Sequence, residues 1–249
     1  MKLVALSLAL AALATSVFAT SPEMPFSDNF DRLDERVWTV STWVAPNGGG
    51  DNHSGIFDYD NVEIINGMLR LRLTQTRDVR GNYTSSGSEI VSNRTFGYGV
   101  YEFRMRASST ATHAYQEAKS VSGSVSAAFI YEHNVKTEID VEFEATSPQT
   151  THLLSWRSSN YRDNEHTERV LPGKLSYQQF YTYKIVWQPG VVTFYRNNER
   201  IAQHRNVVPS LAGPFIFNHW GSNNQWWGGW ATPDVDRYVY IDWFRYRPF

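Results

Sequence analysis

The chain has 249 residues, a formal net charge of −2 and no cysteine. That length buries a sizeable core, as one large β domain or two small ones. A near-neutral chain without a basic run gives no electrostatic reason to expect nucleic acid or an anionic membrane as partner. The lack of cysteine excludes a disulfide frame, a thiolate metal site and a cysteine nucleophile.

Taken in chain order, the first element is the stretch 1–19, MKLVALSLALAALATSVFA. A lysine, an apolar run and small residues before a cut site make it a secretory signal peptide, so the protein is expected to be secreted and extracellular. The apolar run falls short of the ~20 residues a membrane-spanning helix needs. The remainder, 20–249, reads as one domain. Asn52, Asn82 and Asn93 each open an Asn-x-Ser/Thr triplet and are candidate glycosylation acceptors.

Strand signals follow. NVEIINGMLRLRLTQT alternates and is broken by Asn66-Gly67, a hairpin turn pair. FGYGVYEFRMRAS alternates next, then SVSAAFIYE, the acidic stretch KTEIDVEFEA and THLLSWRSS. FYTYKIVWQPGVVTFYRNNERIAQH predicts a hairpin turning at Pro189-Gly190, and PFIFNHW and RYVYIDWFRY close the chain. ATHAYQEAKS is the best candidate for a short helix, with a loop as the alternative. Closely spaced strands with turn residues between them predict an all-β sandwich or barrel. The Gly- and Asn-rich stretches 46–55 and 221–229 predict functional loops.

The acidic stretch carries the chemistry. Strict alternation puts Glu138, Asp140, Glu142 and Glu144 on one face of a strand, with Ile139, Val141 and Phe143 on the other. Like charges on one face repel, so an ordinary strand avoids the pattern. Two carboxyl groups flanking a sugar bond are the equipment of glycoside hydrolysis. Glu138 and Glu142 have equal arms and an Asp between them to tune their charge, which makes them the better pair; Asp140 with Glu144 has unequal arms. A solvated sheet face and a calcium cluster are the alternatives, although calcium prefers carbonyl-rich loops to a flat strand.

Glu-Ile-Asp-Val-Glu-Phe resembles the E-x-D-x-E signature of the family 16 glycoside hydrolases, which include lichenases, related β-glucanases and xyloglucan transglycosylases. The strands quoted above resemble that family's strands in order over roughly residues 26–247. The resemblance implies a β-jelly-roll sandwich of two curved antiparallel sheets, concanavalin A-like, with a cleft for an extended glycan. It implies Glu138 as nucleophile, Asp140 as assistant and Glu142 as acid/base of a retaining endo-glycosidase or transglycosylase on a β-linked, glucan-like polysaccharide. By position it further implies Glu89, Phe129, Tyr131, Asn218, Trp220 and Trp227 as glycan contacts. It also implies a structural Ca2+ at the Gly67 carbonyl and Asp242, no cofactor for catalysis, and a monomer.

Departures from the family pattern are Lys136-Thr137 before the first Glu, Glu144-Ala145 after the second, and a long segment at 108–123. Together with Arg157, Lys136 and Glu144 point to a charged or modified glycan, and Glu144 reads as peripheral to catalysis. Two other functions fit a jelly roll. One is a catalytically silent, lectin-like glycan-binding module; the other is a polysaccharide lyase on a uronate-containing glycan, drawing on Tyr131, His152 and Arg157. No Gly-x-Ser-x-Gly elbow marks a serine hydrolase. The histidines lack metal-ligand spacing, so His113, His133 and His219 read as loop or cleft residues.

Overall fold

The computed structural model describes residues 24–46, 52–132, 137–145, 150–156, 166–172 and 176–249. The leader 1–19 and the residues Lys136, His133 and Arg157 lie outside that set. Sixteen strands run through the described residues: β1 (Phe26–Asp28), β2 (Trp38–Val40), β3 (His53–Phe57), β4 (Val62–Ile64), β5 (Leu69–Arg77), β6 (Tyr83–Phe96), β7 (Gly99–Ser109) and β8 (Ser124–Glu132), then β9 (Thr137–Glu144), β10 (Thr150–Trp156), β11 (His166–Pro172), β12 (Tyr181–Gln188), β13 (Val191–Arg196), β14 (Glu199–His204), β15 (Gly213–Gly221) and β16 (Arg237–Pro248).

They form the expected jelly-roll sandwich. One sheet runs β11-β10-β9-β8-β15-β6, with β2 also on β6; the other runs β5-β16-β7-β12-β13-β14, with β1 on β16 and β4 on β5. Pairing is antiparallel except where β3 lies parallel to β6. The end of β5 pairs with the start of β6, Thr74 to Arg77 against Tyr83 to Ser86, and this joins the two sheets. The predicted hairpins are both present. Asn66 and Gly67 take φ of 51° and 70°, the left-handed pair that a two-residue turn between twisted strands requires.

Alternation decides which residues face between the sheets. Leu69, Leu71 and Leu73 of β5 and Ile139, Val141 and Phe143 of β9 are buried there, as are Phe103, Tyr183, Phe215, Phe217 and Phe244. Phe215 stacks on Phe244 at 4.3 Å between centroids, and Phe217 meets Phe103 edge to face at 5.8 Å. A buried ring removes about 150–250 Å² from water. Truncating one to Ala therefore costs about 3–5 kcal/mol. This core lets a chain with no disulfide hold a 14-residue strand such as β6 in place.

Four features refine or correct the sequence reading. The long β6 was not among the predicted strands, because its Ser, Thr and Asn residues hide the alternation. At 111–120, where a short helix and a loop both fitted, no helix forms. Instead the buried Arg106 donates to the carbonyls of Ala114 (2.7 Å), Gln116 (2.8 Å) and Tyr177 (2.7 Å), and Tyr240 Oη donates to the Ala111 carbonyl. The long segment is thus fastened over β16, where Ala111, Tyr238 and Tyr240 make a second small core. His219 is neither a loop nor a cleft residue. It is fully buried, bonded to the Leu71 carbonyl (3.1 Å) and Ser108 Oγ (2.9 Å), and burial drives its pKa down to about 3.

The fourth concerns calcium. Asp242 forms an ion pair with Arg104, whose guanidinium also lies 4.4 Å from the Phe180 ring centroid. A calcium ion at Gly67 and Asp242 would compete with that guanidinium for its carboxylate, so these residues do not fit the expected metal. Among the described residues no cluster of three or more metal-ligating side chains occurs.

Candidate active site

Because β9 presents Ile139, Val141 and Phe143 inward, its four acids face outward onto the other side of the sheet. Register then decides their neighbours. Glu142 sits opposite Ala127 of β8 on one side and His152 of β10 on the other. Ala127 pairs with Asn218 of β15, and Asn218 with Glu89 of β6. One row across the sheet therefore reads Glu89, Asn218, Ala127, Glu142, His152. The adjoining row places Val91, Ile216 and Phe129 beside Asp140, and Tyr131 lies opposite Glu138.

These rows floor a cleft of ≈ 740 Å³ lined by Glu138, Glu142, Glu89, Phe129, Tyr131, Asn218 and Trp220. The structure thus gathers five of the sequence-predicted site residues around Glu138 and Glu142, with Asp140 buried between that pair on the same face. A further wall comes from Trp43, Val44, Ala45 and Pro46 in the segment before β3, and from Phe57 at the end of that strand. The Gly-rich stretch pointed to that loop but not to Trp43, which is half exposed at 51 %. An indole in a polar, glycine-rich loop was the available signal.

Trp227 is placed differently. It packs on the cluster of Ala45, Phe57, Val125 and Trp220, behind the cleft wall, with its ring 5.0 Å from the His152 ring. Trp226 and Trp230 of the same turn are exposed.

Burial dominates the electrostatics. It pushes Glu138 up to about 8, with the charge of Glu142 adding to the effect. Burial also pushes Glu142 up to about 7; His152 pulls the other way, while Glu144 and Glu168 push further up. Asp140 is raised well above the usual carboxylate range, by burial first and then by Glu138 and Glu142. Glu138 Oε2 and Asp140 Oδ2 are buried with no hydrogen-bond partner. Three carboxyls this close cannot all ionise, so the cluster holds protons near neutral pH. Glu89 accepts from Ser41 Oγ (2.7 Å) and Asn218 Nδ2 (3.2 Å), and burial outweighs those bonds to lift it to about 6.

Glu144 has different company. One oxygen bonds His152 Nε2 and the other accepts from the Gly228 backbone N–H at 2.7 Å. His152 Nδ1 meets Glu168 Oε1 at 2.6 Å. Glu144 is thus a structural anchor and does not line the cleft. A pair of carboxyls able to share a proton, beside an apolar- and aromatic-walled groove, can protonate one oxygen and attack the carbon bonded to it.

Comparison with known proteins agrees with that chemistry. The family model for glycosyl hydrolases family 16 matches residues 49–244. A beta-glucanase of Acetivibrio thermocellus is 28% identical over 250 residues, covering 97% of this chain and 69% of that protein. The endo-1,3-1,4-beta-glycanase ExoK of Rhizobium meliloti is 28% identical over 227 residues, covering 86% and 78%. The beta-glucanase structure from Bacillus licheniformis superposes with a TM-score of 0.74 at 21% identity, over 92% of this chain and 100% of that one. With its signature acids on the cleft face of a jelly roll, and a family match over most of its length, this chain belongs to glycosyl hydrolases family 16.

Proposed function

We propose that the protein is a secreted, retaining endo-β-glucanase acting on a neutral mixed-linkage or β-1,3-glucan. The observation that carries this reading is the set Glu138, Asp140 and Glu142 on one strand face, with Asp140 buried and the two half-buried glutamates opening onto the cleft. Similarity to beta-glucanases supports the glucan. The cleft lining has acids but no Lys or Arg among the described residues, which disfavours a polyanionic substrate. Glu144, one of the three residues behind the expectation of a charged glycan, is occupied by His152 and Gly228.

In the reaction Glu138 attacks the anomeric carbon and forms an ester with it as the glycosidic C–O bond breaks. Glu142 gives its proton to the departing oxygen. Glu142 then removes a proton from water, which attacks the same carbon and breaks the ester, so the anomeric configuration is retained. Burial and neighbouring charge raise both glutamates in the empty cleft, and bound sugar sets which of them carries the charge. Positive charge developing at the anomeric carbon favours carboxylate at Glu138, and expulsion of water from around Glu142 favours its acid form. Asp140, raised by burial and by both glutamates, stays protonated beside Glu138 and moderates its charge.

Digestion of barley-type β-1,3-1,4-glucan, followed by proton NMR of the newly formed reducing ends, tests the reading. The β-anomer should form first and convert slowly to the mixture. Release of the α-anomer first, or of an unsaturated product, would overturn it.

A further inference from the structure

Apart from the reacting acids, the most connected titratable group near the cleft is His152. Its Nε2 faces Glu144 Oε1 and its Nδ1 faces Glu168 Oε1 at 2.6 Å, while its ring lies against Trp227. Each ring nitrogen thus has a carboxylate oxygen as partner, and both bonds exist with ionised carboxylates only if both nitrogens carry protons. Glu144 uses its second oxygen to hold the Gly228 N–H. Gly228 has a φ of +77°, and a Cβ there would stand 2.7 Å from Ser222 Cβ, so the turn accepts little displacement. Next to it, Trp227 packs on Ala45, Phe57 and Trp220, all three of which line the cleft.

We propose that His152 is a positioning residue: its imidazolium, bridging Glu144 and Glu168, fixes the 222–230 turn to the acid/base strand and so holds the aromatic wall of the cleft in place. The same cation stands opposite Glu142 in register and opposes the negative charge of Glu144 and Glu168 beside it. Among the described residues the titratable groups around the ring are Glu142 and Glu144 on β9 and Glu168 on β11, with His166 two residues from Glu168 and His204 within reach of its charge; the 222–230 turn meets the ring through Trp227. This inference rests on the glucanase reading for its kinetic consequence alone.

The test compares wild-type protein with His152→Gln, Glu144→Gln and Glu168→Gln. Hydrogen exchange at the Gly228 amide should quicken ~10-fold or more in Glu144→Gln and His152→Gln and by less in Glu168→Gln, which weakens the bridge at its far end, because local opening sets that rate. Imidazole nitrogen NMR of the wild type should show both His152 nitrogens protonated beyond the pH at which an ordinary histidine titrates. On soluble β-1,3-1,4-glucan, His152→Gln should raise KM ~10-fold with a smaller change in kcat, and move the alkaline limb of kcat/KM upward, since Glu142 loses a neighbouring cation. Unchanged Gly228 exchange in both inner variants, or an His152 ring that titrates as a free imidazole, would overturn the proposal. A wild-type protein that cleaves no glucan would defeat the functional reading, while the exchange and NMR results would still decide the bridge.

Discussion

Glu142 and Glu144 stand two residues apart on one face of one strand, and their carboxyls do different work. Glu142 opens onto the cleft and has Ala127 and His152 as cross-strand neighbours. Glu144 is withdrawn, with one oxygen on an imidazole and the other on a backbone amide. One acid stays chemically available because little is bonded to it. The other is spent on holding a loop. The lesson is that a repeating pattern of like residues fixes direction, whereas the partners arriving from other strands fix role.

Substitution separates the two acids. Glu138→Gln and Glu142→Gln should each lower kcat on β-glucan by roughly 10³-fold or more, since the proposed reaction needs both the nucleophile and the proton donor. Both variants should melt at least as high as the wild type. A buried carboxyl whose folded pKa is raised favours folding at low pH and opposes it once pH climbs past its unfolded value, so removing the charge relieves that penalty at neutral pH. The gain should be about a few degrees in Tm, and calorimetry at pH 7 checks it. A large fall in Tm would mean these acids are structural.

Asp140→Asn comes next, with an expected loss of ~10²-fold in kcat and a wild-type fold, because the charge of Glu138 loses its tuning neighbour. Glu144→Gln should do the reverse. Its activity loss should be smaller, near ~10-fold and mostly in KM, while stability falls by about 1–3 kcal/mol, because the one remaining acceptor oxygen cannot serve both His152 and the Gly228 amide. Denaturant unfolding monitored alongside activity distinguishes the two patterns.

A pH titration adds a finer contrast. Burial works against charge on His152, but its bonds to Glu144 and Glu168 outweigh that and raise its pKa above 6.5. A group raised in the folded state contributes stability that is complete below its unfolded pKa and is lost as pH rises through the folded value. The stability difference between wild type and His152→Gln should therefore shrink as pH climbs above about 6.5. The smallest effect belongs to the exposed Trp226. Trp226→Ala should change stability by less than about 0.5 kcal/mol, and a larger change would show that the turn depends on more than Glu144.

That the protein is built of strands, that Ile139, Val141 and Phe143 face a core, and that four acids share the opposite face can all be read along the chain. Period-two alternation carries that information locally, and the family signature singles out the acids proposed to react. Tertiary structure alone decided which partners those acids meet. The row from Glu89 to His152 is assembled from five strands, the consecutive β8, β9 and β10 with β6 and β15 from distant parts of the chain, and no local pattern encodes their register. For the same reason the polar β6, which supplies Glu89, gave no strand signal, since its Ser and Thr residues serve neighbours on both sides. Arg104 taking Asp242, and His152 taking Glu144, are pairings across strands. A carboxylate's role follows from the donors and charges brought within bonding distance, and only folding sets those distances.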